Sequence, residues 1–146
     1  MKEQVARVWL YKTDSLAVLL QKRSPFIRNA GKYDASAGGH LDGEETPEDA
    51  AVRECQEEIG IKLDKDKLFL FDTSSNEYTN FSDFIYDFSG QPETWQLDPQ
   101  EVSEVRWVKY DELEDFFKEK VKDTLAKEYP EFVIKLKEAL PHHGNN

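Results

Sequence analysis

The chain has 146 residues, 38% of them hydrophobic and 34% charged, with a formal net charge of −11. A length of this order fits one domain, which buries roughly 68–70% of its unfolded surface, so the fold needs no staple. The acid excess argues against broad electrostatic binding to nucleic acid or an anionic membrane, but not against a small phosphorylated substrate whose contact is mediated by a cation.

The lone cysteine, Cys55, excludes an intramolecular disulfide and suits a reducing compartment. The opening MKEQVARVWLYKTD lacks the apolar stretch of a signal peptide. No apolar run reaches the ~18 residues of a bilayer span. Cytoplasm is the expected location.

In chain order, Val5 to Tyr11 reads as a strand, Lys12 to Ser15 as a turn, and Leu16 to Gln21 as a second strand buried on both faces. Lys22-Arg23-Ser24-Pro25 opens a long loop with a turn at Asn29-Ala30-Gly31. Tyr33 to Ala37 reads as a short strand leading into Gly38-Gly39. The helix that follows is specified by local signals: Thr46 as N-cap, Pro47 in the first helical position, Asp49 completing a capping box, and Gly60 as a left-handed stop. They predict a helix from Pro47 to Ile59.

Lys67 to Asp72 and Phe81 to Phe88 read as strands, with a polar, turn-rich stretch from Thr73 to Asn80 between them. Ser89 to Pro99 is irregular, and Glu104 to Tyr110 alternates as a last strand. From Asp111 the chain reads as helical to about residue 140. Leu113, Phe116, Phe117 and Val121 form one apolar stripe, Pro130 interrupts, and Phe132, Val133, Leu136 and Leu140 form another. Residues 141–146 read as a frayed tail, and His142 and His143 carry no assignment. The expected architecture is one α/β domain, a mixed sheet packed between helices.

Glu54, Glu57 and Glu58 stand at i, i+3 and i+4 on the predicted helix, within about 100° of arc. Ala51, Val52, Cys55 and Ile59 fall on the other side, so Cys55 reads as a small core residue rather than a nucleophile. Three like charges at this spacing repel one another. Either the face is merely solvated, or it holds a hard divalent cation through its oxygens. Gly38-Gly39 permits close backbone approach, and Arg53 is placed to grip a carboxylate in a bidentate bond. Both favour a site.

Gly39, five residues, Glu45, seven residues, then Arg53-Glu54-Cys55-Gln56-Glu57-Glu58-Ile59-Gly60-Ile61 resembles the Nudix box across its 23 residues. Every fixed position matches, with Cys55 standing where an aliphatic residue is commoner. The looser resemblance in strand order runs from about Val5 to Leu113. It implies a hydrolase of diphosphates linked to another moiety, with Mg2+ as cofactor and Mn2+ as a substitute. Glu57 and Glu58 would be metal ligands, Glu54 a ligand or the base that deprotonates water, and Gly38 a carbonyl donor to the metal. Arg53 would pair with Glu45 and hold the loop. A further glutamate is expected from a later loop, with Glu101 first and Glu104 second.

The flanks Leu19 to Ser24 and Gly31 to His40 are similar to the branch that includes isopentenyl diphosphate isomerase. That enzyme has a catalytic cysteine where this chain has Gly38, and draws on N-terminal histidines that this chain lacks before His40. Hydrolysis is therefore favoured over isomerisation, with a catalytically silent binding module as the third reading. His40 reads equally as a ligand or phosphate contact and as a loop hydrogen-bonder. Arg23 and Lys22 read as surface charge or as contacts to substrate phosphates. Tyr33, Phe81, Phe84, Tyr86 and Trp95 could stack on a base or belong to the core. The expected partner is a small phosphorylated molecule; a homodimer stays open.

Overall fold

A computed structural model describes residues 2–141, so His142 and His143 lie outside the described residues. The chain forms β1 (Glu3–Lys12), β2 (Ala17–Arg23), β3 (Tyr33–Asp34), β4 (Ala37–His40), α1 (Pro47–Ile59), β5 (Phe69–Ser75), β6 (Thr79–Asp87), β7 (Val102–Lys109), α2 (Leu113–Glu119), α3 (Asp123–Ala126) and α4 (Tyr129–Ala139). Short 3-10 turns cover Lys65–Lys67 and Tyr110–Glu112.

The sheet is mixed and forked. β1 runs parallel to β6 from Glu3↔Thr79 to Tyr11↔Asp87. On its other edge β1 pairs β2 only near their shared turn, at Tyr11↔Val18 and Lys12↔Ala17, and then pairs β4 from Val5↔His40 to Val8↔Ala37. β2 diverges to run antiparallel to β7 and, at Gln21↔Asp34, to β3. Ser36 sutures the fork: its hydroxyl accepts from Leu10 N–H at 2.8 Å and donates to Leu19 C=O at 2.5 Å. The cleft opens where β1 and β2 part.

Each face of the sheet carries its own core, as expected of a sheet between helices. Val18, Leu20, Trp9 and Ile85 pack against Leu113, Phe117, Phe132 and Leu136 of the C-terminal helices. Leu19, Val8 and Leu10 pack on the opposite face against Ala50, Ala51, Cys55 and Ile59 of α1. The alternation of Val18 and Leu20 with Leu19 is the two-faced burial that the apolar run of β2 implies.

α1 has the predicted bounds. Thr46 Oγ1 accepts from Asp49 N–H at 3.1 Å, Asp49 Oδ2 accepts from Thr46 N–H at 3.2 Å, and Gly60 closes the helix at φ 78°.

Other boundaries differ from the sequence reading. The polar stretch from Thr73 is largely strand, since β5 and β6 stay paired to Ser75↔Asn80 and the turn is tightened by Asn76, whose Oδ1 accepts from Tyr78 and Thr79 N–H. Gly38 and Gly39 lie inside β4. Leu16 sits in the β1–β2 turn at φ 49° rather than in the strand. Pro130 lies in the first turn of α4, where a missing N–H costs nothing. The interruption comes earlier, at residues 120–122, where Tyr33 N–H donates to Lys120 C=O and Lys122 N–H to Tyr33 C=O.

Candidate active site

α1 is laid across β4 and β1, and the two glycines set how closely. A Cβ on Gly38 would stand 2.6 Å from the Ala6 carbonyl oxygen, and one on Gly39 would stand 2.6 Å from the Glu54 carboxyl carbon. Glycine at 39 therefore leaves the space that the Glu54 carboxylate fills.

Glu58 points inward on the side of buried Ala51 and Ile59, not on the side opposite them as the charge pattern suggested. It is 9% exposed, and its Oε1 accepts from Gln21 Nε2 at 2.9 Å and from Gly38 N–H at 3.1 Å. Burial pushes its pKa well above the ordinary carboxylate range, and the neighbouring Glu54 carboxylate adds to the shift. Val52, in turn, is only partly buried.

Arg53 organises the rim. Its guanidinium donates to Glu45 through Nε at 2.7 Å and Nη2 at 3.0 Å, to Glu54 through Nη1 at 2.6 Å, to Glu57 at 3.2 Å, and to the His40 carbonyl at 3.0 Å. The Glu45 carboxyl is held below its usual range by these bonds and by Asp42 N–H. Arg53 itself is held firmly cationic, first by Glu45 and then by Glu54, against the opposing effect of burial. The pairing with Glu45 is the one the family resemblance implied, and the grip on Glu54 and Glu57 is additional.

A cleft of about 480 Å³ opens in front of these groups. Glu54, Glu58, Gly38, Arg53, Arg23, His40 and Glu101 line it. Glu57 stays on the outer rim, its side chain 58% exposed. Glu104 and Lys22 lie outside the lining and face each other at 3.7 Å, because β2 alternates and turns Gln21 and Arg23 inward but Lys22 away. His40 Nε2 lies 3.0 Å from Glu3 Oε2. Its carbonyl serves Arg53, which is the loop-holding role.

Of the aromatic candidates, Phe81 lines the cleft. Tyr33, Phe84 and Tyr86 are buried, and Trp95 stacks on Phe88 at 5.5 Å. Sequence reading missed Gln21, Arg7, Asp34 and Lys122 as cleft residues. The signal for Gln21 was its position two residues before Arg23 on one strand, whereas Lys122 is brought in by tertiary structure alone.

The donor set fits a hard divalent cation. Two carboxylates crowd into one partly desolvated spot, where like charge raises the pKa of Glu58 and a cation would relieve it. Glu57 remains on Arg53, and among the described residues no three histidine, cysteine, aspartate or glutamate side chains already converge. A third protein ligand is thus not pre-placed. Cys55, buried in the core with its thiol pKa pushed up by burial, is not a nucleophile.

A family model described as the NUDIX domain matches residues 1–132. Nudix hydrolase 3 of Arabidopsis thaliana is 32% identical over 143 residues, covering 89% of this chain but only 18% of that protein's length. Among solved structures, a Deinococcus radiodurans protein superposes with TM-score 0.71 at 20% identity, over 88% of this chain and 82% of that one. The M. smegmatis Nudix hydrolase RenU does so with TM-score 0.68 at 23% identity, over 96% and 87%. The two superpositions show a common fold, a mixed sheet with helices. With its box intact and its fold in common with these proteins, the chain belongs to the Nudix family.

Proposed function

We propose that the chain is a Mg2+-dependent hydrolase that opens a phosphoanhydride bond in a nucleoside di- or triphosphate or a related small diphosphate. The observation that carries this reading is the crowding of Glu58 by Glu54, whose carboxylate fills the space left by Gly39, with Arg53 holding Glu54 and Gln21 holding Glu58. Glu54 and Glu58 would hold the metal, joined by Glu57 and the Gly38 carbonyl. Bound there, the cation supplies an activated water and a counter-charge for phosphoryl oxygens. The protein's own part is to fix the carboxylates. Gly38 N–H and Gln21 orient Glu58, while Arg53 holds Glu54 on the cleft lining through a 2.6 Å bond. Glu54 is then the group to receive the water proton, with Glu101 on the cleft lining as second choice.

The isomerase reading is disfavoured by the same geometry. A side chain at position 38 would meet the Ala6 carbonyl, and Cys55 is sealed in the core. A binding module without catalysis is disfavoured because Glu54, Glu57 and Glu58 are all retained beside Arg53.

The deciding experiment incubates the protein with Mg2+ and a panel of nucleotides, diphosphates and isoprenoid diphosphates, with products identified by mass. Release of phosphate, pyrophosphate or a monophosphate from one class is the expected result. Ligand binding without cleavage of any compound would leave the binding module.

A further inference from the structure

Opposite the box helix, the cleft has a wall built around Asp34. Asp34 is buried; its Oδ1 accepts from Ala35 N–H at 2.8 Å, and its Oδ2 lies 2.8 Å from Lys122 Nζ and 3.7 Å from Arg23 Nη1. Lys122 comes from the far end of the chain. Residues 120–122 add a parallel rung beside β3 through the Tyr33 backbone bonds. Val121 is buried in the helical core, so the extended alternation turns its neighbour Lys122 to the cleft. The ion pair of Lys32 with Asp123 fastens the same segment.

The donors on this wall exceed the acceptors that the protein offers them. An ammonium group has three protons, and Asp34 takes one from Lys122. Arg23 gives Nε to the Arg28 carbonyl at 2.7 Å and stands at a long 3.7 Å from Asp34. Arg7, 3% exposed and also lining the cleft, gives Nε and Nη2 to Asp83, and its Nη1 has no partner. A buried N–H without an acceptor costs roughly 1–3 kcal/mol. Gln21, which holds Glu58, and Arg23 both line the cleft from β2, two residues apart in the strand, so this wall adjoins the carboxylate pair.

We propose that Arg7, Arg23 and Lys122, gathered round Asp34, form an anion subsite. It takes a second phosphoryl group of the ligand, the one remote from Glu54 and Glu58. The inference rests on the reading of the cleft as a site for a phosphorylated ligand. It assigns the segment between α2 and α3 a part in substrate selection: a ligand with two or more phosphoryl groups spans both walls, and a monophosphate reaches one.

The test is calorimetric titration of the full chain with imidodiphosphate, which resists hydrolysis, in excess Mg2+. Lys122→Gln should weaken binding about tenfold or more, as loss of a hydrogen bond to a charged group does, and Lys122→Arg should recover most of it. Arg23→Gln, a second route should Lys122→Gln fold poorly, should weaken binding similarly, whereas the exposed Lys62→Gln should leave it unchanged. Unaltered affinity in a folded Lys122→Gln whose melting temperature has dropped would assign Lys122 to holding the segment alone and overturn the subsite. Failure of the wild-type chain to bind imidodiphosphate would overturn it as well. If binding follows the expected pattern while no diphosphate is ever cleaved, the subsite stands and hydrolysis falls.

Discussion

Gln21 and Glu58 are joined at 2.9 Å, and the same amide nitrogen reaches the Ser36 carbonyl at 3.1 Å. One side chain therefore ties β2, the fork suture and the box helix together. Gln21→Ala leaves the Glu58 carboxylate free to turn and removes a donor that favours its charged form. Such supporting partners are worth about 10–100-fold in metal affinity or activity. Mg2+ affinity by calorimetry should fall in that range while the melting temperature shifts by only a few degrees. Unchanged affinity would mean that the backbone N–H of Gly38 orients Glu58 unaided.

Glu58→Gln separates stability from function. The carboxylate is buried and crowded by Glu54, and its pKa is raised, so its ionisation opposes folding once the pH exceeds the ordinary glutamate value of 4.5. A neutral amide of nearly the same shape removes that opposition. Metal-free Glu58→Gln should be at least as stable as the parent near neutral pH, by urea unfolding, yet lose Mg2+ binding and activity by orders of magnitude. Glu57→Gln, on the exposed rim, should lose activity with little change in stability. Near-parental activity in the double variant would end the metal assignment.

What could be read from sequence was what local chemistry decides. Thr46, Pro47, Asp49 and Gly60 act within a few residues of themselves, and α1 has the predicted ends. Glu58 was misplaced because charge was used to sort the helix faces. Seven residues on from buried Ala51, it lies only about 20° away round the helix, so spacing alone points it inward. β5 was read short because apolarity was taken as the mark of a strand, whereas an exposed edge strand can carry Thr73, Ser74 and Ser75. Lys122 could not have been found. Its contact with Asp34 depends on a backbone rung between segments almost ninety residues apart.

The pair of Asp34 with Lys122 carries a pH signature. Burial alone would raise the Asp34 pKa, but Lys122, Arg7 and the Ala35 N–H outweigh it and hold the value below the ordinary 3.8. A carboxylate depressed on folding stabilises above its unfolded pKa and loses that contribution as pH falls through the folded one. Asp34→Asn should therefore cost about 1–3 kcal/mol near neutral pH. The gap to the parent should close on acidification below about 3.8, in urea titrations run at a series of pH values. A gap that stayed constant would assign the loss to packing instead.

Arg7 and Asp83 face each other across the parallel β1–β6 ladder, with Nε to Oδ1 at 2.7 Å and Nη2 to Oδ2 at 2.8 Å, and Trp9 Nε1 donates to the same carboxylate at 2.9 Å. The two side chains are 3% and 0% exposed. Burial pulls the Arg7 pKa down, and Asp83, helped by Asp34 and Asp72, more than offsets that pull. Removing one member of such a pair costs about 3–5 kcal/mol, because the other is left as an uncompensated buried charge. Asp83→Ala should reach that range in urea unfolding and also free the Trp9 indole N–H. Arg7→Met combined with Asp83→Leu should be markedly less damaging, since it leaves no buried charge. If the double replacement were as costly as Asp83→Ala, the loss would lie in repacking around Phe81 and Phe132, which the guanidinium covers at 4.2 and 5.6 Å.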